Sequence, residues 1–204
     1  MTIDLDQTDY ATVEAAIVTS KGTMVATFFP EQAPRHVRNF LTLARQGFYD
    51  GVAFHRLARN FVVQVGCPHS KRSATGIPGT GIPGTGGPGY TVPAEFSDLP
   101  HHRGVLSMAR GPDVNSGGSQ FFVVLADHAR HLDGQYSVFG KLEEGLDVLD
   151  AIGSVDCDFG PTGERSKPKE RVDILRIELR PRQQREPVGE AKDAAAGKVM
   201  EQEN

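Results

Sequence analysis

The stretch that decides the fold runs from residue 104 to 142: GVLSMARGPDVNSGGSQFFVVLADHARHLDGQYSVFGKL. It holds three short β-like runs, at 104–109, 120–125 and 137–142. Segments rich in Gly, Asp, Asn and Ser separate them, residues that favour turns over regular structure. Working outward, similar runs stand at 52–57, 61–66 and 172–179. The last, VDILRIELR, has no cleanly polar face, as expected of a strand covered on one side and partly on the other.

Nearer the N-terminus, VEAAIVTS and TMVATFFP flank Lys21-Gly22, which reads as a hairpin. A helix follows. Pro34 fits its first turn, where a missing N–H costs little. Val37, Phe40, Leu41 and Ala44 fall at i, i+3, i+4 and i+7 on one apolar stripe, and Gly47 supplies the stop. A shorter helix fits 144–152, with Leu146, Leu149 and Ile152 on one face. Many short strands and two helices, with no βαβ alternation, predict a mainly β protein, an antiparallel sheet closed into a barrel and plugged by helices.

The bulk numbers agree with one domain. The chain has 204 residues, enough to bury a sizeable core without disulfides or metals. Its formal net charge of −4 argues against general attraction to nucleic acid or anionic membranes. Cys67 and Cys157 lie far apart with no metal-ligand spacing around them, so two free thiols are expected. MTIDLDQTDYATVEAA has no basic start followed by an apolar core, and the apolar run at 121–126 is far too short to span a bilayer. A soluble, cytoplasmic protein is expected. Residues 1–10 read as a flexible N-terminus, 11–180 as the folded domain, and 181–204 as a charged tail with too little apolar surface to dock.

Residues 75–89 are three tandem pentapeptides, TGIPG, TGIPG and TGGPG. Such a segment cannot be helix or central strand and reads as a surface loop. It contains GxGxxG at Gly79, Gly81 and Gly84, but with neither a preceding strand nor a following helix, as a dinucleotide site needs. HExxH, GxSxG and P-loop patterns do not occur, and His101-His102 read as loop residues without a third metal ligand. No metal or cofactor is expected.

Two blocks stand out, FHRLARNFVVQVG at 54–66 and the 104–142 stretch. The FHR…F..Q.G pattern, GVLSMA, GSQFF and LDG…VFGK resemble the cyclophilin family of peptidyl-prolyl isomerases, in that family's order. A looser likeness, including NFL and GFYDGVAFHR, runs from about Val13 to Leu179. The resemblance implies a closed eight-stranded antiparallel β-barrel capped by two α-helices, with the substrate groove on its outer face. It implies that Arg56 is catalytic, that Phe61, Phe122 and Leu132 wall a proline pocket, and that Val62 keeps its lining apolar. Gln64 would orient substrate and arginine, while Ala109, Arg110 and Gln120 would line the peptide backbone. Taken alone, Phe61, Phe122 and Leu132 read as core, and Gln64 and Gln120 as ordinary strand polars.

Two departures stand at the groove. His131 replaces the family's frequent Trp and Tyr136 its frequent His, so cyclosporin should bind weakly while isomerase activity persists. The implied partners are proline-containing peptides and unfolded or flexible protein segments, met by a monomer. A proline-peptide binding module without turnover is the rival reading, and the intact Arg56 favours the enzyme. Cyclophilins commonly have a shorter Gly-rich connection where 69–89 stands, so that loop looks like an insertion. It is expected to lie outside the sheet, with removal of its repeats leaving turnover on short peptides unchanged.

Overall fold

A computed structural model describes residues 4–72, 81–160 and 162–183. Strands β1 (Val13–Thr19) and β2 (Gly22–Phe28) form the expected hairpin, paired in register from Glu14–Thr27 to Thr19–Gly22. Helix α1 (Pro34–Arg45) follows, and Gly47 after it takes φ 66°, a left-handed conformation that lets the chain leave the helix without strain. Then come β3 (Val52–Ala53), β4 (Arg56–Ala58), β5 (Val62–Val65), β6 (Val105–Met108), β7 (Phe121–Val124) and β8 (Val138–Glu144). Helix α2 (Leu146–Gly153), a hairpin of β9 (Cys157–Phe159) and β10 (Arg165–Pro168), and β11 (Asp173–Pro181) complete the order.

Nine of these strands form one antiparallel sheet, ordered β3-β11-β1-β2-β8-β6-β7-β5-β4; β9 and β10 pair separately. This corrects the expected closed barrel of eight strands. The sheet is an open half-barrel with nine strands, and its end strands are not paired with each other. The extra strand arises because 52–58 changes partner midway. Phe54 N–H still donates to Val172 on the β11 side (2.9 Å), whereas His55 N–H donates to Gln64 of β5 (3.1 Å). One extended segment therefore carries both ends of the strand order.

The sheet's concave side is filled by the main core. Phe40 of α1 lies at its centre, with ring centroids 5.3 to 5.5 Å from Phe28, Tyr49, Phe121 and Phe139. Helix α2 buries Leu149 and Ile152, but Leu146, expected on the same face, is 43% exposed because the helix begins with it, after left-handed Gly145. Leu5 is buried in this core, so the N-terminal segment read as flexible contributes a packed side chain. At the other end Arg182 N–H donates to Thr12 O (2.7 Å); the rest of the predicted tail, from 184, lies outside the described residues, as do 73–80 of the loop. Cys67 and Cys157 are free and buried. Among the described residues no helix is long and apolar enough to cross a membrane.

Side chains alternate across a strand with a period of two. Val63, Val65, Leu106, Met108, Phe121, Val123 and Phe139 thus enter the main core. Their neighbours Val62, Val105, Phe122, Val124 and Val138 point the other way, into a second, smaller apolar cluster with Ala58, Ala129 and Leu132. A strand sequence such as FFVV, apolar at every position, is what a sheet covered on both faces requires.

Candidate active site

The outer cluster borders a polar row set by strand register. Arg56 lies opposite Gln64, Gln64 opposite Phe122, and Phe122 opposite Ser107. Cross-strand partners have Cβ atoms about 5 Å apart, so register alone places the guanidinium, the amide and the aromatic ring side by side. Phe122 and Leu132, 5% and 7% exposed, belong to the outer apolar cluster, with Val62 packed among them at 2%. Phe61 is half-buried at the rim: its ring lies 5.8 Å from the Arg56 guanidinium carbon and 5.1 Å from the exposed His131 ring. Tyr136 meets Phe122 edge-on at 5.7 Å.

A chain of side-chain hydrogen bonds runs along the row. Arg56 Nη1 faces Gln64 Oε1 at a long 3.5 Å, and Gln64 Nε2 donates to Gln120 Oε1 at 3.1 Å. Gln120 Nε2 in turn donates to the carbonyls of Gly84 (2.9 Å) and Gly86 (2.8 Å). The other edge of Arg56 is held by Glu164, through Nε to Oε2 at 2.7 Å and Nη2 to Oε1 at 2.8 Å. Beside Gln64 and Gln120 opens a cavity of about 360 Å³, walled by residues 84–88 of the loop and by Ala109 and Arg110. Ala109 N–H donates to Gln120 O (2.9 Å), which ties β6 to the start of β7.

Ten of the eleven site residues expected from sequence are thus in one connected surface with their side chains turned to it or directly beneath it. Arg110 shares the cavity wall, but its guanidinium is turned away to the Gln135 carbonyl (3.3 and 3.2 Å) and lies over the Tyr136 ring at 4.6 Å. It buttresses Tyr136 and leaves the Gln64–Gln120 chain untouched.

Comparison with known proteins now bears on this geometry. The family model for cyclophilin-type peptidyl-prolyl cis-trans isomerases matches residues 14–179. The chain belongs to the cyclophilin family. A peptidyl-prolyl cis-trans isomerase of Helicobacter pylori is 45% identical over 157 residues, covering 75% of this cyclophilin and 85% of the relative. Peptidyl-prolyl cis-trans isomerase B of Bacillus subtilis is 49% identical over 130 residues, covering 63% and 81%. Among solved structures, a Cryptosporidium parvum cyclophilin determined in the presence of the dipeptide Ala-Pro superimposes with a TM-score of 0.69 at 30% identity, covering 83% of this chain and 99% of that one. The family is one of isomerases, and this cyclophilin is a peptidyl-prolyl cis-trans isomerase by descent.

Three features of the cyclophilin's site escape a reading of its sequence. Glu164 is one; the GPTG turn signal before it marks a hairpin, but nothing in the residues points it at Arg56. The loop is another. It was expected to lie outside the sheet; beyond that, Gly84 and Gly86 donate N–H bonds to Cys67 Sγ (3.0 and 3.3 Å) and their carbonyls hold Gln120. The third is His101, which lies in a loop as expected but is fully buried. Its Nδ1 meets Asp133 Oδ1 and its Nε2 meets Ser107 Oγ, each at 3.0 Å. This Ser-His-Asp array is sealed: Ser107 is also wholly buried and its hydroxyl reaches the Ser137 carbonyl (3.1 Å). Burial lowers the His101 pKa against the pull of Asp133. With no room for a substrate at Ser107, the array serves to fix the floor under Phe122, on which the imidazole stacks at 6.0 Å.

Proposed function

We propose that the groove accelerates rotation about X-Pro peptide bonds without covalent chemistry, with Arg56 as the catalytic group. The observation that carries this is the half-buried Arg56 guanidinium in register with Gln64 and next to the apolar cluster of Phe61, Phe122 and Leu132. An amide resists rotation by about 18–20 kcal/mol because its nitrogen lone pair is delocalised into the carbonyl. At the twisted transition state that lone pair returns to nitrogen, which becomes an acceptor it was not before. A fixed guanidinium N–H aimed there binds the transition state better than the ground state. A charge-assisted bond of roughly 1.5–3 kcal/mol is worth about one to two decades of rate.

The remaining acceleration comes from holding the proline ring on the apolar floor while the preceding carbonyl swings. Gln64 and Gln120, linked to each other, orient the peptide backbone, and Ala109 and the loop carry its flanking residues along the cavity. His131 and Tyr136 complete the rim. An imidazole offers less contact area than an indole, so cyclosporin binds weakly in this reading. Substrates are proline-containing peptides and unfolded or flexible segments, and the physiological role is assistance to protein folding by a cytoplasmic monomer.

The test is turnover on short X-Pro peptides. Arg56→Ala is expected to lower kcat/KM at least about tenfold with the fold intact. Arg56→Lys should rescue little, since a point charge lacks the planar fork. Near-normal turnover by Arg56→Ala would refute the mechanism.

A further inference from the structure

Glu164 reaches Arg56 from the separate β9–β10 hairpin, which packs against β4. Its backbone is pinned: the Glu164 carbonyl accepts from Gly160 N–H (2.8 Å) and Ser166 N–H (3.0 Å), and neighbouring Arg165 donates from Nε to Cys157 O (2.8 Å). The carboxylate therefore hangs from a braced turn. It engages the guanidinium along the Nε–Nη2 edge, with both bonds of charge-assisted length. A guanidinium offers five N–H donors in one plane. Binding this edge fixes the plane while Nη1 stays turned toward Gln64 and the groove.

An exposed surface ion pair contributes little to stability. This pair differs in placement: both side chains are about one-third exposed, and one partner is the group assigned to the reaction. Arginine's long side chain carries large rotamer entropy, and a donor that must meet a transient lone pair gains from having that freedom removed beforehand. Arg56 bonding holds the Glu164 pKa below its ordinary value, with Ser166 assisting against desolvation, so the carboxylate is charged at neutral pH.

We propose that Glu164 is a positioning residue for the isomerisation, holding the Arg56 guanidinium plane so that its Nη1 side faces the peptide. This rests on Arg56 being the donor to the twisted amide. The experiment is a double-mutant cycle of Glu164→Ala and Arg56→Ala, read as kcat and KM on an X-Pro peptide, with circular dichroism to check the fold. Glu164→Ala is expected to lower kcat about three- to tenfold at nearly unchanged KM. Glu164→Gln, which keeps the shape and one acceptor, should fall between. In the Arg56→Ala background, Glu164→Ala should cost nothing further. If Glu164→Ala fails to fold, Glu164→Gln takes its place in the cycle. Wild-type or faster turnover in the Glu164 variant, or the same loss with and without Arg56, overturns the proposal. Full activity of Arg56→Ala alone would instead remove the mechanism on which it rests.

Discussion

Two segments outside the nine-stranded sheet reach the groove, and they do so at opposite ends of one hydrogen-bond chain. The β9–β10 hairpin ends it with a carboxylate on Arg56; the pentapeptide loop ends it with two carbonyls on Gln120. The hairpin end is ionic and braced by its own strand pairing. The loop end is neutral, tethered by N–H bonds from Gly84 and Gly86 to a buried cysteine sulfur, a weak acceptor. The sheet supplies the row by register, but what flanks the row comes from its least regular parts. In the proposed mechanism, positioning of the charged donor is thus separated from shaping of the peptide channel, and each can be disturbed alone.

Acidification should separate the two ends first, and most strongly. His55 lies under the loop, with its Cδ2 3.4 Å from where a Gly84 Cβ would stand, and both ring nitrogens are buried without a hydrogen-bond partner of good geometry. Burial lowers its pKa to about 4, outweighing the upward pulls of the Ala53 backbone and the Gln120 side chain. Unfolded, the imidazole takes its proton near 6.5. Between those values the unfolded chain binds more protons, so stability is full above about 6.5, falls as pH drops toward 4, and levels below. The shift corresponds to roughly 3 kcal/mol. Urea unfolding at pH 7, 5.5 and 4 should show that fall, and His55→Leu should flatten it in part; buried His36 and His101, also shifted down, keep a residual slope. Glu164, shifted below its ordinary 4.5, gives way only at lower pH, so the loop end loosens before the ionic end. An unchanged slope in His55→Leu would mean the ring is hydrated in solution.

The second effect is smaller and sits on the shared middle of the chain. Gln120→Leu removes the acceptor for Gln64 and the donor for both loop carbonyls. Each net hydrogen bond is worth about 1 kcal/mol, less where water can replace it. Peptide turnover should fall about three- to tenfold, with KM rising because the channel wall moves. A fall in kcat alone would tie Gln120 to the Arg56 end of the chain and erase the division drawn above.

Legibility follows the same division. The β1–β2 hairpin and α1 were readable because their apolar spacing is their reason for forming. The β-like runs within 104–142, set apart by turn residues, marked strands, but which face was groove came from the family resemblance, since FFVV is apolar on both. The segment 52–57 looked like one strand because nothing in its residues records a change of partner at His55. Glu164 was illegible because its role is a contact across 108 residues from a short polar hairpin with no periodic signal. The burial of His101 was illegible for a related reason: a His pair in a loop carries no sign of the Asp133 and Ser107 that pair with it.

The smallest expected effect tests the loop most sharply. Residues 75–79 and 80–84 are the same five residues, TGIPG. Deleting either produces one and the same chain, in which the remaining copy still precedes TGGPG. That copy can supply the glycine that occupies position 84, so the bonds to Cys67 and Gln120 can form again. Loop-closure entropy changes by only about 0.6 kcal/mol per doubling of length, so the shorter loop should alter stability by a few tenths of a kilocalorie. Turnover on short peptides should stay within about twofold. Deleting both copies, 75–84, removes the Gly84 carbonyl and N–H together and leaves only Gly86, so turnover should drop clearly below that of the single deletion. The two deletions differ in wall contacts far more than in loop entropy. Equal activity in both would show that the chain uses only Gly86, and that the second repeat is spacer with no part in the channel.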